Sequence, residues 1–528
     1  MENLAIHKLG GADLPVGRGG RFVLLAKALA TRASLVALFL LPVWQHLLFS
    51  EAGFHHLRPT SVDYRASLLL FATLTLLVTA LFWGIHKTPP RIRPWLGSVF
   101  LSGILLPPLH ELTRLIEGQF PMALLRTPLY HALPIILCLV AIATCRQSYW
   151  KLWRLILISL PFTLLIIGKT GWALTQSHTI EPTFGEQLPQ SATPPLTNRV
   201  VWIIFDELDY RLTSRERPAS ISLPNFDALA ATSYRLTNAQ SPSSRTMLAV
   251  PSLVDGVAYS AAFPVGPAQL RLRGPDGVVT QWGAQSNVFT DCRDHRGRSA
   301  AIGWYFPYRR IFGDVVNYTF WQPNSGERFV GQGRSIIETM QMQVLAVLPV
   351  WRKILHADTL ASIESEALTT LTNAAFDLCF IHFPVPHIPA IVGTLSITNL
   401  MPLLSDPKAY IGNLHRADAL MGRCLQALES SPTGLRTTLI VSSDHPWRMS
   451  KMFDGQSDPR VPFFIRFSGQ KSGRDIGTPF ATLGTRTVIR KLLAAEIPLR
   501  METWGSYSNN EAALDTLVTQ LITDIPSQ

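Results

Sequence analysis

Long apolar runs fill the first third of the chain, and short apolar runs alternate with amphipathic stretches in the remainder. The long runs lie near residues 33–49, 66–85, 95–109, 128–144 and 152–168. Each approaches the roughly 20 residues that an α-helix needs to cross about 30 Å of hydrocarbon, and the third run is the shortest. The pattern therefore predicts an N-terminal bundle of five transmembrane helices over residues 33–174.

The charged residues between these runs predict an orientation. The head of the chain and the loops around Arg91 and Lys151 are basic, whereas the alternate loops mix both signs. By the positive-inside rule, residues 1–32 form a cytosolic segment and the chain beyond the fifth run lies outside the cytosol. A polar head before the first run and four further runs disfavour a cleaved signal peptide. The protein is thus expected in the cytoplasmic membrane.

A change of composition separates this bundle from the rest of the chain. Residues 175–198 are rich in Pro, Thr and Gln without apolar periodicity, which predicts a semi-extended linker. Residues 199–528 alternate strand-like and helix-like segments, a pattern typical of a mostly parallel sheet covered by helices on both faces. The sequence therefore predicts an extracytoplasmic α/β domain over residues 199–528.

Composition and charge narrow the class of protein. The chain is 47% hydrophobic and only 16% charged, where a soluble protein has about a quarter charged residues. The net charge of +11 comes with many basic residues that flank apolar runs, so nucleic acid is not an expected partner. The five cysteines lack metal-type spacing and are too few for a disulfide framework.

Three strand candidates end in polar side chains that can bind a metal. The segment VVWIIF is followed by Asp206 and Glu207, LCFI by His382, and TLIVS by Ser443, Asp444 and His445. The carboxyl ends of parallel strands meet at one edge of a sheet, where open α/β folds bind ligands. Carboxylate and imidazole donors suit Mn²⁺, Zn²⁺, Mg²⁺ or Ca²⁺. The sequence therefore predicts a divalent-metal site at this edge.

The segment from Ser241 to Gly256 offers a hydroxyl-rich loop that leads into an apolar stretch. A Ser or Thr hydroxyl is a weak nucleophile, and coordination to a divalent cation favours its alkoxide. Taken alone, the loop is also what a turn before a helix looks like, with Ser241 or Ser243 as the N-cap.

The order of these motifs resembles the alkaline phosphatase and sulfatase superfamily. With apolar runs in front, the chain is similar to the membrane-anchored branch that contains lipoteichoic acid synthases and phosphoethanolamine transferases. The resemblance covers residues 200–470 and rests on five segments in order: VVWIIFDEL, LPNFDALAATSYRLTNAQSPSSRTMLAVPSLVDG, HFPVPHIP, VSSDHPWR and RVPFFIRFSG. It implies an alkaline-phosphatase-like fold for the second domain.

The resemblance also implies roles for individual residues. Thr246 matches the catalytic nucleophile, since it stands five residues before Pro251. His387 matches a substrate-contacting histidine, and His382 is implied as a further ligand or supporting residue. Arg245 beside the nucleophile is expected to steady an anionic ester through a forked contact. The residues that match metal ligands are Asp206, Glu207, Asp444 and His445.

The activity implied is transfer of a phospho-headgroup, of the phosphoethanolamine or phosphoglycerol type, from a membrane lipid to an envelope glycan or lipid. One divalent cation is expected, Mn²⁺ or Zn²⁺ first, with Ca²⁺ and Mg²⁺ as alternatives. The sulfatase Cys/Ser-x-Pro-x-Arg frame is broken at Pro242, which favours an unmodified Thr and phosphorus chemistry. Two alternatives remain open: a membrane-bound sulfatase or phosphodiesterase, and a non-catalytic scaffold, which Pro446 after the Asp-His pair would favour.

Overall fold

The computed structural model describes most of the chain as two compact units, each treated by itself. The described residues are 18–49, 54–55, 57–117, 156–176, 196–214, 216–323, 329–331, 333–389, 391, 407–495, 516 and 518–521. The first unit takes the described residues within 1–50, 57–180 and 329–351, and the second takes those within 51–56, 181–328 and 352–528. The predicted linker lies largely outside the described residues.

The first unit is built from apolar helices. Its α-helices are Arg18–Phe39, Leu41–Trp44, Ser61–Lys87, Arg93–Glu117, Leu160–Leu174 and Ile336–Ala346. Thr60 caps Ser61–Lys87 in a capping box with Asp63, whose Oδ2 also accepts a hydrogen bond from the Gly331 amide at 3.0 Å. Gln343 Nε2 donates to the Asp63 carbonyl at 3.1 Å. The segment 329–346, distant in sequence, is therefore an integral part of the first unit.

The number of candidate membrane spans is smaller than the sequence predicts. Among the described residues, Ser61–Lys87 and Leu157–Leu174 are long and apolar enough to cross a membrane. A third candidate combines Leu25–Phe39 with Leu41–Leu48, bent by 65°; Pro42 at the break lacks an amide hydrogen and its ring conflicts with a continuing helix.

The third predicted run lies in the helix Arg93–Glu117, whose apolar part, Trp95–Pro108, is below the length that hydrocarbon requires. The fourth predicted run, 128–144, lies outside the described residues. The prediction of five spans is therefore replaced by two, or three with the bent pair, in the described part of the chain.

The second unit has the predicted α/β architecture, although residues 329–351 of the predicted domain belong to the first unit. Its described strands are β1 Arg199–Asp206, β2 Tyr234–Leu236, β3 Ala239–Gln240, β4 Ala261–Gly266, β5 Gln269–Arg273, β6 Val279–Gln281, β7 Ser299–Trp304, β8 Tyr318–Gln322, β9 Leu378–Pro386, β10 Thr437–Ser443, β11 Phe463–Arg466, β12 Arg474–Ile476 and β13 Phe480–Ala481. The eight-stranded sheet has the order β12-β2-β11-β10-β1-β9-β7-β8, in which β11 alone runs antiparallel to its neighbours. The other strands form a two-stranded pair, β13-β3, and a three-stranded sheet, β4-β5-β6.

Helices cover both faces of the large sheet. They are Tyr210–Thr213, Pro224–Ala231, Thr246–Asp255, Val288–Asp294, Tyr308–Phe312, Pro349–Thr372, Pro407–Glu429, Ser450–Asp454 and Thr485–Leu493. Strand β1 is buried throughout: Val200, Trp202 and Ile204 pack into the core on one face, and Val201 and Ile203 into the core on the other. This double burial explains why the strand is a continuous apolar run rather than an alternating one.

Candidate metal site

Three neighbouring strands bring acidic and imidazole side chains to one edge of the sheet. Asp206 is the last residue of β1, Asp444 directly follows β10, and His382 lies within β9 opposite Ile204. Because β10, β1 and β9 are adjacent and parallel, their ends converge. One ligand atom from each of Asp206, His382 and Asp444 lies within 4.8 Å of the other two, and all three residues are buried.

The polar atoms that face this point lack partners. Asp206 Oδ1, Asp444 Oδ2 and His382 Nε2 are buried and have no hydrogen-bond partner among the described residues. The other oxygen of Asp444, Oδ1, accepts from the amides of Glu207 at 3.1 Å and His445 at 2.8 Å. Buried polar atoms without partners are costly, and a divalent cation would satisfy all three. The donor set fits a metal.

The electrostatics of the site point the same way. Burial raises the pKa of Asp206 well above its usual range, and the charges of Asp444 and Glu207 raise it further. Burial lowers the pKa of His382 to about 4, so its imidazole is neutral, the form that binds metals. A cation would relieve the repulsion between the carboxylates and meet an imidazole that needs no deprotonation.

Thr246 faces the same cluster. It begins the helix Thr246–Asp255 and is buried. Its Oγ1 donates to Asp206 Oδ2 at 3.3 Å and lies 3.2 Å from His445 Nε2. The positive end of the helix dipole therefore lies where a negative charge on this oxygen, or on a bound anion, would be stabilised.

His445 has a defined tautomer, and Pro446 takes part in setting it. His445 Nδ1 lies 3.0 Å from the Pro446 carbonyl oxygen, which can only accept, so Nδ1 carries the proton. His445 Nε2 therefore presents a lone pair, 3.4 Å from Asp444 Oδ2. The proline that departs from the usual motif does not obstruct the site, because it supplies the carbonyl that orients the histidine.

Glu207 and His387 are held together at the rim by Arg448. Arg448 Nε donates to Glu207 Oε1, and its Nη2 lies 3.3 Å from His387 Nε2. His387 is also tied to β1, since its amide donates to the Asp206 carbonyl at 3.1 Å. Glu207, expected as a metal ligand, thus has its carboxylate directed to a guanidinium and is not part of the three-residue cluster.

Arg245 is exposed, whereas the resemblance implies a contact with a bound anionic ester. It precedes the helix Thr246–Asp255 in an extended conformation, makes no side-chain cap and is exposed. The hydroxyl-rich loop is fastened by Ser241, whose Oγ donates to the Asp444 carbonyl and to the Ser243 carbonyl. The loop therefore fixes the backbone before Thr246 and leaves Arg245 at the surface.

Two further residues, Tyr308 and Gly303, shape the site around His382. Tyr308 Oη lies 3.2 Å from His382 Nδ1, and both groups are buried. Gly303 in β7 lies opposite His382, and a Cβ there would come within 2.9 Å of His382 Cβ and 3.2 Å of Tyr308 Cε2. Their contacts with His382 follow from the position of β7 beside β9, which the sequence alone does not give.

No protein-family model and no curated protein matches the sequence. The solved structures to which the chain is similar include sulfatases and a phosphonate monoester hydrolase. The phosphonate monoester hydrolase of Agrobacterium radiobacter shares 16% identity at a TM-score of 0.40, over 56% of this chain and 74% of that one.

The PsFucS1 sulfatase from Pseudoalteromonas sp. shares 14% identity at a TM-score of 0.39, over 56% of this chain and 67% of that one. A sulfatase from a glycosaminoglycan-metabolism locus of Bacteroides thetaiotaomicron shares 14% identity at a TM-score of 0.39, over 58% and 74%. At these TM-scores the similarity assigns no activity, and the function has to follow from the residues of the site.

Proposed function

We propose that this chain is a membrane-anchored, metal-dependent phosphotransferase in which Thr246 is the nucleophile. The observation that carries the proposal is the position of Thr246 Oγ1, 3.3 Å from Asp206 Oδ2 and 3.2 Å from His445 Nε2. The same two residues border the point faced by the unpartnered atoms of Asp206, His382 and Asp444. A hydroxyl held against a set of metal donors is the arrangement of an activated nucleophile.

A divalent cation would be held by Asp206, Asp444 and His445, with His382 as a further donor. When bound, it would lower the pKa of the Thr246 hydroxyl and offset negative charge on a phosphoryl group. Mixed carboxylate and imidazole donors suit Mn²⁺ or Zn²⁺, with Ca²⁺ and Mg²⁺ as alternatives. Glu207 contributes through Arg448, which it holds at the rim of the site.

The chemistry divides into two balanced steps. In the first, Thr246 Oγ1 attacks the phosphorus of a phosphodiester, its proton passes to Asp206 Oδ2, to which it already donates, and the bond from phosphorus to the lipid alkoxide breaks. The departing alkoxide takes up a proton, which gives diacylglycerol. In the second step, an acceptor hydroxyl gives up its proton, attacks the same phosphorus and displaces the Thr246 oxygen. The threonine is restored and the headgroup has moved.

The groups at the rim would orient the phosphodiester. Arg448 and His387 lie side by side there, and an arginine fork matches two phosphoryl oxygens. The helix Thr246–Asp255 directs its positive end to the same place. These features support binding of a singly charged phosphodiester.

The candidate spans support a lipid as the donor. A chain anchored by Ser61–Lys87 and Leu157–Leu174 would meet membrane lipids at high effective concentration. An envelope glycan or lipid at the outer face of the cytoplasmic membrane would be the acceptor. Hydrolysis uses the same first step, with water in place of the acceptor hydroxyl, and is therefore an outcome of the test.

The proposal is tested with the full chain in vesicles that contain phosphatidylethanolamine and phosphatidylglycerol. Expected results are release of diacylglycerol that stops on addition of a chelator, and a phospho-headgroup adduct located on Thr246 by mass spectrometry. Thr246→Ala should lose both, and Met247→Ala, next to it on the helix, should keep both. Release of sulfate from a sulfated glycan without lipid, or an adduct on Ser243 or Ser244, would overturn it.

A further inference from the structure

The three-stranded sheet β4-β5-β6 in the second unit has one buried face and one exposed face. On the buried face, Leu270 and Leu272 of β5 are fully buried in the hydrophobic core. Strand β5 alternates strictly between exposed and buried positions, as expected for a strand with one side on a core. The sheet is therefore packed against the core on one face, and its other face is exposed.

The exposed face combines apolar and basic side chains. Phe263 lies directly opposite Arg271, and Arg273 directly opposite Val279, so these four side chains share a face. Phe263 is 42% exposed and Val279 46% exposed. We call these four residues, together with the neighbouring exposed Val265, the docking face.

The charged side chains of the docking face are both basic. Strands β4, β5 and β6 contain no acidic residue, and neither Arg271 nor Arg273 is in an ion pair with any described residue. The Arg273 guanidinium lies 5.6 Å from the centre of the Phe263 ring, so the aromatic and cationic groups form one patch. Asp276 in the following turn has its Oδ1 occupied by the Val278 amide at 3.0 Å.

We propose that the docking face binds the surface of a bilayer that contains anionic lipids. Arginines attract anionic headgroups, and an aromatic ring with flanking valines can enter the boundary between headgroups and acyl chains. A sheet face that is merely solvated would instead carry charged side chains of both signs. The chemistry of the five side chains matches a surface that is both anionic and amphipathic.

The anchor of the same chain makes this weak interaction effective. Two arginines and three apolar side chains would bind vesicles weakly in free solution, as single signals do. A chain that carries its own candidate spans keeps the second unit near a bilayer at all times, so docking becomes intramolecular. The inference rests on these spans and not on the proposed phosphoryl chemistry. It would hold even if the metal site had no catalytic activity.

The test measures how close the docking face comes to lipid in the full chain. Val279→Cys and Leu435→Cys variants are labelled with a fluorophore and reconstituted with nitroxide-labelled lipid. Leu435, 63% exposed in the second unit, is the matched control, because it is an exposed apolar residue outside the docking face. The unsubstituted chain gives the background from native cysteines.

In vesicles of equimolar phosphatidylcholine and phosphatidylglycerol, quenching at position 279 should exceed that at position 435 by about twofold or more, and should fall as salt is raised. It should also fall in phosphatidylcholine alone and in the double variant Arg271→Gln with Arg273→Gln, whose thermal unfolding should match that of the parent. Equal quenching at both positions, or no response to salt, lipid charge or the double variant, would overturn the proposal. Protection of position 279 that follows protein concentration instead of lipid charge would overturn it in favour of a second copy.

Discussion

The Tyr308 hydroxyl oxygen lies 3.2 Å from His382 Nδ1, on the side of the imidazole away from the carboxylates. For His382 Nε2 to bind a cation, its lone pair must be free and Nδ1 must carry the proton. The Tyr308 oxygen can accept that proton, and in that arrangement the contact supports the metal-binding tautomer. Partners of this kind tune metal affinity without touching the metal.

Replacing Tyr308 by Phe should therefore weaken metal binding by about 10- to 100-fold. Isothermal titration of the full chain with Mn²⁺ or Zn²⁺ measures the effect. Tyr318→Phe is the control. Tyr318 donates a hydrogen bond to Glu366 at 2.7 Å and is the first residue of β8, at the strand end opposite the metal site. Its substitution should not alter metal affinity. Equal affinities for the parent and Tyr308→Phe would show that Tyr308 does not tune the metal site.

Gly303→Ala should disturb the contact between Tyr308 and His382. Its new Cβ would lie 3.0 Å from the His382 carbonyl oxygen and 2.9 Å from His382 Cβ, and overpacking in a core costs about 1–3 kcal/mol. We expect a lower free energy of unfolding together with weaker metal binding. Gly412→Ala makes a matched control: no atom lies within 4 Å of its added Cβ, so alanine there should stabilise its helix.

Asp206→Asn should change the stability of the protein in different ways with and without metal. The pKa of Asp206 is raised, so the folded state binds more protons than the unfolded state and metal-free stability falls as pH rises above the unfolded pKa. In a chelator, the variant should therefore be less sensitive to this rise in pH than the parent. On addition of Mn²⁺, only the parent should gain melting temperature. A variant that gains as much as the parent would exclude Asp206 as a ligand.

Thr246→Ala and Thr246→Ser separate the nucleophile from its surroundings. The alanine variant should lose at least about 10³-fold in turnover, because the attacking oxygen is absent. Serine keeps that oxygen and should retain measurable turnover and a headgroup adduct. Both variants should keep the fold, since the helix Thr246–Asp255 is capped at its other end by Gly256. Turnover by the alanine variant close to that of the parent would contradict the assignment.

His356 should make the protein sensitive to acid. Burial lowers its pKa to about 3 from about 6.5 in the unfolded chain. The unfolded state therefore binds more protons below pH 6.5, and stability is lost as pH falls from there toward 3, by about 2 kcal/mol near pH 5. His356→Phe should remove this part of the pH dependence, as chemical unfolding at pH 7 and pH 5 would show. An unchanged slope would mean that His356 is solvated or paired.

The positions of the two carboxylates could be predicted because they depend on single strands. Asp206 and Asp444 follow directly from apolar runs, and the rule that parallel strands end at one edge brings them together without further information. The contributions of Tyr308 and Gly303 could not be predicted in this way. They depend on the pairing of β7 with β9, which joins residues far apart in sequence.

The membrane part was predicted less well, for a physical reason. Hydropathy measures apolar length and does not report a bend, so the run over 33–49 looked continuous although Pro42 interrupts it. The metal role of Glu207 depended on its place beside Asp206, whereas its partner Arg448 comes from a distant loop. The helix Ile336–Ala346 lies within the predicted α/β domain by sequence position, and only its contacts assign it elsewhere.

The place of Ile336–Ala346 in the first unit also limits how the protein can be divided. This helix packs against Ser61–Lys87, with Met340, Met342 and Val344 against the apolar cluster there. A shortened protein that begins at residue 199 would leave those side chains without cover and prone to self-association in water. Proteolysis at the segment 177–195 would not separate the two parts either, because the polypeptide returns to the first unit near residue 329. Purification of the whole chain in detergent is therefore the sound route to intact, folded protein.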